Sequence, residues 1–421
     1  MTPQTATAPV LVLNCKIGAL AIMRSLGSLG IPLYGVDAEK NAPAFSSRYC
    51  RASHVLALDE QRPKEYLDRV MEIGKGLGRK AVLIPTSDEL SVFVADHGEA
   101  LSEQFLFPRN NPRIVRELMS KEAMYGLATR LGVPTAATVF PRTLQDVREY
   151  AGSALFPVML KGILGNRLQA RTGTKMLIVH TAEELIAAYK RLEDPEQPNL
   201  MIQEYIPGGD DQIYIFNGYF NEGSDCLAGF TGYKLRQFPV HVGCASLGIC
   251  AWNQEVADLT TGFMKTVGYK GILDIGYRLD PRNGQYKVLD INPRVGQAFR
   301  LFLAKDGTDV VRSLYRDLTG ERVPQVVPRE GRKWLIEDYD IVSSFHYWQE
   351  GTLRFGAWLR SFKGVEEGAW FSWKDPVPFL LMVGRLIKHI AVWARKNLGA
   401  AMPSAEQRSL EENVPVEESR R

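Results

Sequence analysis

The run GILDIGYRLDPRNGQYKVLDINPR, residues 271–294, decides the fold. Apolar residues alternate on both sides of the turn-forming PRNG, so residues 271–280 and 285–292 are predicted to form a β-hairpin. Asp290 and Asn292 lie two residues apart and therefore face the same side of their strand. Their oxygens can converge there on one hard cation.

Two further charged residues belong to the predicted hairpin. Asp274 lies on its first strand, and Arg294 continues the alternation begun by Asp290 and Asn292. Arg294 can therefore bring a fixed positive charge next to an anionic ligand of the cation. A magnesium ion that holds nucleotide phosphates needs only one or two carboxylates from the protein. The hairpin thus predicts a site for magnesium and a phosphate-bearing nucleotide.

A lysine ends the apolar strand that FPVMLK, residues 156–161, predicts. The alkyl stem of Lys161 would be buried and its ammonium would point into the site; the alternative is an ordinary surface lysine. Gly162, Gly165 and Gly173 follow, and they predict a mobile loop that closes over phosphates.

The segment LMIQEYI, residues 200–206, is predicted to form a strand that stops at PGGDD. Its backbone edge could contact an adenine. Asp210 or Asp211, just beyond, could accept hydrogen bonds from ribose hydroxyls. Together with the hairpin, this pattern predicts an antiparallel α+β unit in the middle of the chain.

The first 115 residues alternate apolar runs with helical patterns. Predicted strands at residues 9–14, 31–36 and 81–85, each followed by a helix, indicate a parallel α/β domain. No GxGxxG follows the first strand, which argues against a nicotinamide-dependent dehydrogenase.

Four polar residues are weaker candidates for binding substrate. Ser87 and Asp88, in PTSDE, follow a predicted strand, where open α/β sheets bind ligands. A helix cap is the alternative role for either of them. Lys234 and Arg236 could hold a substrate carboxylate, or they could belong to an ordinary charged strand face.

Composition excludes several classes of protein. The chain has 421 residues, with 51 Lys and Arg against 48 Asp and Glu, a formal net charge of +3. This near balance argues against a nucleic-acid binder driven by electrostatics. The five cysteines form no CxxC pair, which argues against a structural zinc site or a disulfide framework. No signal-peptide pattern or long apolar stretch is recognised, so a cytoplasmic location is predicted.

Residues 379–393 are predicted to form an amphipathic helix with one apolar and one basic face. One interpretation is a core helix packed against the aromatic-rich segment before it. The other is a helix on the inner face of the membrane, with peripheral lipid contact through residues 379–396. Residues 403–421 are rich in Pro, Glu and Ser and are predicted to be disordered.

Four stretches, in this order, resemble the ATP-grasp superfamily: SKEAMYGLATRLGVP, FPVMLKG, MIQEYIPGGDD and the hairpin run. DINPR, at the end of the hairpin, is the most specific of them. In detail the chain is similar to the carboxylate–amine ligase branch, which is related to the carbamoyl-phosphate synthase large subunit and includes D-aspartate ligase. The resemblance implies ATP and Mg²⁺ as cofactors, with Mn²⁺ as an alternative metal, and a small carboxylate and an amine as substrates.

The resemblance also implies a role for each matching residue. These roles are phosphate binding (Lys121, Lys161), the adenine hinge (Gln203, Glu204, Ile206), ribose binding (Asp210), magnesium binding (Asp290, Asn292) and stabilisation of an acylphosphate (Arg294). Glu204 and Ile206 are expected to act through backbone groups, and Lys161 and Arg294 to take part in catalysis.

One position departs from the superfamily pattern. Relatives often place a second metal-binding acid where this chain has Gly276, whereas Asp274 lies two residues earlier, about 7 Å away on the same strand face. Either Asp274 takes that role, or the second magnesium position is weakened. The implied reaction forms an acylphosphate from ATP and a carboxylate, from which an amine displaces phosphate. Alternatives are a thiol acceptor, a reaction that stops at the acylphosphate, a nucleotide-binding protein without turnover, and a ligase for a lipid-linked substrate.

The predicted fold class is α/β and α+β, in four parts. They are an N-terminal α/β domain (1–115), an ATP-grasp domain (116–322), a C-terminal helical and aromatic-rich extension (323–402) and the tail (403–421). A homodimer is a further expectation, since dimers are common among soluble enzymes.

Overall fold

The structure is a computed structural model that describes residues 7–400, apart from the side chains of residue 166 and residues 389–400. The tail predicted to be disordered, residues 403–421, lies outside the described residues.

The N-terminal part folds around a parallel sheet. Its strands are β1 (Val10–Leu13), β2 (Leu33–Asp37), β3 (Cys50–Val55), β4 (Ala81–Pro85) and β5 (Phe105–Leu106). Its helices are α1 (Ile17–Gly27), α2 (Pro63–Gly76), α3 (Asp88–Asp96), α4 (Gly98–Leu101) and α5 (Pro112–Met119). The strand order is β3-β2-β1-β4-β5. β1 is fully buried, as expected for a central strand covered by helices on both faces.

A smaller antiparallel sheet follows. Its strands are β6 (Thr138–Val139), β7 (Val158–Gly162), β8 (Met176–Val179) and β9 (Leu200–Glu204), in the order β6-β9-β7-β8. The helices of this part are α6 (Lys121–Arg130), α7 (Leu144–Ala151), α8 (Gly165–Thr172) and α9 (Ala182–Leu192). The predicted mobile loop after Lys161 is wrong, because α8 occupies that segment. Gly173 ends α8 in the left-handed conformation, with φ 78°.

The large sheet has seven strands in the order β14-β13-β10-β11-β12-β15-β16. They are β10 (Ile213–Phe220), β11 (Cys226–Phe238), β12 (Cys244–Cys250), β13 (Gly271–Asp280), β14 (Gln285–Asn292), β15 (Lys333–Leu335) and β16 (Val365–Gly368). Helices α10 (Gln254–Val267) and α11 (Val310–Leu318) pack against it. The hairpin β13–β14 has the bounds that the sequence predicts.

The C-terminal extension is integrated into the fold. It supplies β15 and β16 to the large sheet and the helices α12 (Glu337–Gln349), α13 (Phe355–Ser361) and α14 (Val377–Ala400). One hydrophobic core joins Leu20 of α1, Phe230 of β11, Trp334 of β15 and Met382 of α14. Because these side chains share a core, the parts of the chain are held together around the cleft between the sheets.

The start of α14 has a partly buried face, as the core-helix interpretation expects. Met382 is buried, and Phe379 and Val383 pack against the same core. Ahead of the helix, Asp375 forms a buried ion pair with Arg24 of α1 at 3.0 Å. None of the helices within residues 7–400 is long and apolar enough to span a bilayer.

Candidate active site

One cleft of about 1990 Å³ lies between the three sheets, and every site residue predicted from the sequence lines it. The carboxyl end of β4 and the inner face of α12 also contribute to its wall. The volume exceeds the 300–1,000 Å³ that is typical of sites for one small molecule. The cleft therefore has room for a nucleotide and further substrates.

The hairpin brings its polar residues to one face. Asp274 lies directly opposite Asn292, and Gly276 lies directly opposite Asp290. The ladder is irregular just after this point, because Leu289 is an extra residue on β14. Two carboxylates and one amide thus share one face of the hairpin, as the alternation predicts.

The glycine at position 276 leaves space that the carboxylate of Asp290 takes. A Cβ atom at Gly276 would lie 2.5 Å from Asp290 Oδ1, far inside a normal contact. The departure from the superfamily pattern is therefore linked to the placement of Asp290, and Asp274 is the nearby acid on β13.

The donor set fits a magnesium ion that is shared with phosphates. Burial first, and then the neighbouring Asp290, raise the pKa of Asp274 to about 6. A bound cation would relieve this repulsion. Across the described part of the chain, no three His, Cys, Asp or Glu side chains are grouped so that they could hold a metal ion by themselves. Magnesium bound through phosphates requires no such group.

Lys121 stands at the first position of α6. Ser120 caps this helix, since its hydroxyl accepts a hydrogen bond from the amide of Ala123. The ammonium of Lys121 reaches across to β7 and lies 3.5 Å from the carbonyl oxygen of Gly162. The cap and this contact place the charge inside the cleft.

Lys161 is held by a chain of buried hydrogen bonds. Its ammonium donates to Gln203 Oε1 at 3.1 Å, and Gln203 Nε2 donates to the hydroxyl of Tyr125 at 2.7 Å. Tyr125 in turn donates to the carbonyl of Leu289 at 2.9 Å. Gln203 is fully buried, so its side chain positions Lys161 and Tyr125. The chain of bonds therefore connects the smaller sheet, through Lys161 and Gln203, with the hairpin of the large sheet, through Leu289.

The two lysines lie close enough to affect each other. Burial and the ammonium of Lys121 lower the pKa of Lys161 to about 8. Burial also lowers the pKa of Lys121, against the attraction of Asp290. Two desolvated cations in one wall favour an anionic ligand, because a phosphate would compensate both.

The segment after β9 keeps its backbone in the cleft while its side chains are used elsewhere. Glu204 binds Lys287 at 3.0 Å and also contacts Arg282. Burial opposes the charge of Glu204, but these partners outweigh it and lower its pKa. Arg278 donates to the carbonyl of Ile206 at 2.9 Å, which fixes the segment. This arrangement agrees with a role for Glu204 and Ile206 through the backbone.

Asp210, expected to bind ribose, is part of a side-chain network. It accepts hydrogen bonds from Gln237 Nε2 at 2.8 Å and from the hydroxyl of Tyr347 on α12. His241 lies 3.3 Å from the same carboxylate and 2.9 Å from Glu350. The acid therefore lines the cleft and also connects it to the C-terminal extension.

Asp88 joins the N-terminal part to the hairpin. It forms an ion pair with Arg294 at 2.5 Å, and Arg294 also donates to Asn292 Oδ1 at 3.2 Å. Ser87 takes the alternative role and caps α3, since its hydroxyl accepts from the amide of Leu90. The structure thus places Asp88 beside the predicted acylphosphate-binding arginine.

Lys234 and Arg236 differ although they lie on the same strand. Lys234 faces the cleft and donates to the carbonyl of Gly243 at 2.8 Å. Arg236 is buried and binds Asp340 of α12 through two hydrogen bonds of 2.8 and 2.7 Å. The guanidinium therefore holds the C-terminal extension in place. It is not an exposed charge of the strand, and its two bonds to Asp340 compete with any substrate carboxylate.

Known proteins resemble the chain in sequence and in fold, although no protein-family model matches it. The chain is similar to D-aspartate ligase of Enterococcus faecium, with 24% identity over 248 residues, 57% of this chain and 59% of that protein. It is also similar to the arginine-specific large chain of carbamoyl phosphate synthase from Geobacillus stearothermophilus, with 20% identity over 54% of this chain and 21% of that protein. The chain thus spans less than two thirds of the length of these relatives.

Solved structures share the fold. N5-carboxyaminoimidazole ribonucleotide synthetase from Thermus thermophilus superposes with a TM-score of 0.60 and 16% identity, covering 77% of this chain and 82% of that one. The biotin carboxylase domain of Hydrogenobacter thermophilus 2-oxoglutarate carboxylase, a dimer with MgADP, superposes with a TM-score of 0.58 and 15% identity, covering 78% and 73%. The chain shares the fold of these two enzymes, which is an ATP-grasp fold. The predicted fold class is confirmed.

Sequence reasoning did not identify several residues that hold the candidate site residues in place. Tyr125 lies one helical turn after Lys121 on the same face of α6, a spacing that could have identified it. Arg278 follows Gly276 in the alternation of β13. Tyr347 lies 137 residues from Asp210, and no local pattern connects the two.

Proposed function

We propose that the chain is an ATP- and magnesium-dependent ligase that joins a carboxylate to an amine. The observation that carries the proposal is that Lys121 and Lys161 line the same cleft as Asp274, Asp290 and Asn292. Asp290 is close enough to attract both ammonium groups. The distant similarity to D-aspartate ligase supports the reaction class and suggests aspartate as the first carboxylate to test.

Each side chain of the candidate site would have a separate role in the ligase reaction. Lys121 and Lys161 would bind the phosphates of ATP and neutralise charge while a substrate carboxylate attacks the γ-phosphate. Attack breaks the bond to ADP and gives an acylphosphate. The amine then attacks the acyl carbon, phosphate leaves and the amine loses a proton. Asp274, Asp290 and Asn292 would hold magnesium, which supplies positive charge to the phosphates.

Arg294 would act in the second step. Its guanidinium is paired with Asp88 at 2.5 Å and donates to Asn292 Oδ1 at 3.2 Å, and these two contacts fix its orientation. An acylphosphate oxygen would replace or share that partner and would receive a charge-assisted hydrogen bond as the acyl–oxygen bond breaks. Asp88 is thus proposed as a positioning residue for Arg294.

The proposal is tested by release of ADP from MgATP with a pool of amino and hydroxy acids and hydroxylamine. Hydroxylamine traps an acylphosphate as a hydroxamate, whichever amine is the natural acceptor. Carboxylate-dependent ADP and a hydroxamate are expected, and Asp290→Asn should abolish both while ATP still binds. ADP without hydroxamate from the parent would contradict the proposal.

A second candidate function is nucleotide binding without ligase turnover. Gly276 favours it, because the acid that relatives often place there is missing. In that case the parent protein would bind ATP and release no ADP with any carboxylate, and Asp290→Asn would change binding alone.

A further inference from the structure

The C-terminal extension exposes an unusual number of large apolar side chains. Trp373 is 88% exposed, Phe355 69%, Leu380 63% and Trp348 61%. An apolar patch of this kind on a soluble fold marks a contact surface. We call the following set the apolar surface: Ile341, Val342, Phe345, Trp348, Phe355, Leu359, Trp373, Val377, Leu380, Leu381 and Ile387.

Side-chain contacts connect the elements that carry this surface. Arg236 binds both Asp340 of α12 and the hydroxyl of Ser361 in α13, so these helices are fixed to one guanidinium. Glu337, at the start of α12, accepts hydrogen bonds from the amides of Trp370 and Phe371. The ring of Phe371 then packs against those of Trp373 and Phe379. A continuous path therefore runs from α13 through α12 to α14.

The charges around the apolar surface are mainly positive, although Glu350, which lies 2.9 Å from His241, is close to Trp348 in the sequence. Residues 351–363 contain Arg354, Arg360 and Lys363 and no Asp or Glu. The described side chains of α14 include Arg385 and Lys388 and no carboxylate. The nearby Glu366 and Glu367 are neutralised in ion pairs with Arg332. The whole chain is nearly balanced in charge, so this local excess of cations is distinctive.

We propose that the apolar surface docks the protein on an anionic lipid bilayer. Trp, Phe and Leu side chains insert favourably at the level of the lipid headgroups, and flanking Lys and Arg residues bind the anionic headgroups. A protein partner or a second copy of this chain would fit the apolar residues but gives no reason for the cations around them. The proposal concerns a binding surface and does not depend on the reaction.

Docking would place the cleft beside the bilayer. Tyr347 lines the cleft from the inner face of α12, where Asp340 is buried, while Phe345 and Trp348 are exposed on the outer face. Ala357 of α13 likewise lines the cleft while Phe355 and Leu359 are exposed. Docking would therefore leave only one helix diameter, about 10 Å, between the cleft and the bilayer.

The test is co-sedimentation of the full chain with vesicles of phosphatidylcholine alone and of phosphatidylcholine with 30% phosphatidylglycerol (about one anionic lipid in three). Point variants are preferable to a truncation after Lys374, because that truncation would remove the buried Asp375 and Met382. The test variant is Trp348→Ser with Phe355→Ser. The matched control is Leu155→Ser with Leu29→Ser, since both leucines are exposed and lie outside the apolar surface.

We expect the parent and the control variant to bind the anionic vesicles at least tenfold more tightly than the neutral ones. The test variant should lose about tenfold or more in partition, and Arg354→Gln with Lys363→Gln about fivefold. The charge variant keeps the test decisive if the apolar variant does not fold. Absent binding by the parent, unchanged binding of both variants, or a parent dimer that the test variant converts to monomer would overturn the proposal.

Discussion

At one end of the cleft, Lys121 and Lys161 lie near each other and each donates to a neutral oxygen, of Gly162 and Gln203. At the other end, Arg236 is paired with Asp340 through two hydrogen bonds. In the first arrangement Asp290 only partly offsets the two positive charges, and burial together with Lys121 lowers the pKa of Lys161. The second satisfies its charges without any ligand.

Within one cleft, the first arrangement is therefore suited to binding a ligand, whereas the second stabilises the fold. A buried ion pair that is complete gains nothing from a ligand, whereas two desolvated lysines and a carboxyl with a raised pKa gain from phosphate and magnesium. Substitutions at the first end should therefore affect activity with little loss of stability. Substitutions at the second end should affect stability first.

The largest effect is expected for Lys161→Met. Loss of a preorganised cation at the developing phosphate charge should lower kcat/KM for carboxylate-dependent ADP release about 10³-fold. The midpoint of thermal unfolding should stay the same or rise, because a desolvated charge is removed. Lys190→Met, on the exposed face of α9, is the matched control. Unchanged turnover in Lys161→Met would remove this residue from the phosphate site.

The next largest effect is on stability, in Arg236→Met. Breaking a buried pair leaves Asp340 uncompensated, so the free energy of unfolding should fall by about 3 kcal/mol in urea titrations. The double variant Arg236→Met with Asp340→Leu should recover part of the loss. Arg113→Met, whose side chain is 82% exposed, serves as control. A fall in kcat without any loss of stability would instead assign Arg236 to substrate binding.

The hairpin and the cleft network show what the sequence could and could not predict. The bounds of β13 and β14 were predictable because alternation and the PRNG turn are local signals. The pair of Arg236 and Asp340 was not, since 104 residues separate the partners and no local pattern connects them. The helix α8 is not predicted from the sequence, because Gly162, Gly165 and Gly173 are typical of a loop. The run NRLQART, between the last two of these glycines, nevertheless forms a helix.

A smaller effect on activity is expected for Gly276→Asp, which adds the second acid that the resemblance to the ATP-grasp superfamily implies at this position. A Cβ atom there meets Asp290 Oδ1 at 2.5 Å, so the new side chain should displace Asp290 and lower turnover about 10- to 100-fold. Gly276→Ala should lower turnover in the same direction, and Gly262→Ala, with open space around it, should not. Higher turnover in Gly276→Asp would mean that the chain has a weakened metal site.

The smallest effect concerns the pH dependence of ATP binding. Burial and Lys121 lower the pKa of Lys161 to about 8, and a bound phosphate would raise it again. Attraction for phosphate is therefore fully present below pH 8 and is lost as the pH rises through that value. The affinity for ATP, measured by calorimetry, should fall about tenfold between pH 7.5 and pH 9.

Lys161→Arg provides the control for this prediction, because a guanidinium keeps its proton throughout that range. Its ATP affinity should be nearly independent of pH from 7.5 to 9, even if it is weaker overall. If the parent and Lys161→Arg show the same pH dependence, a group other than Lys161 titrates. The group that titrates would then be Lys121. Burial lowers its pKa as well, and its ammonium lies 3.5 Å from the carbonyl oxygen of Gly162.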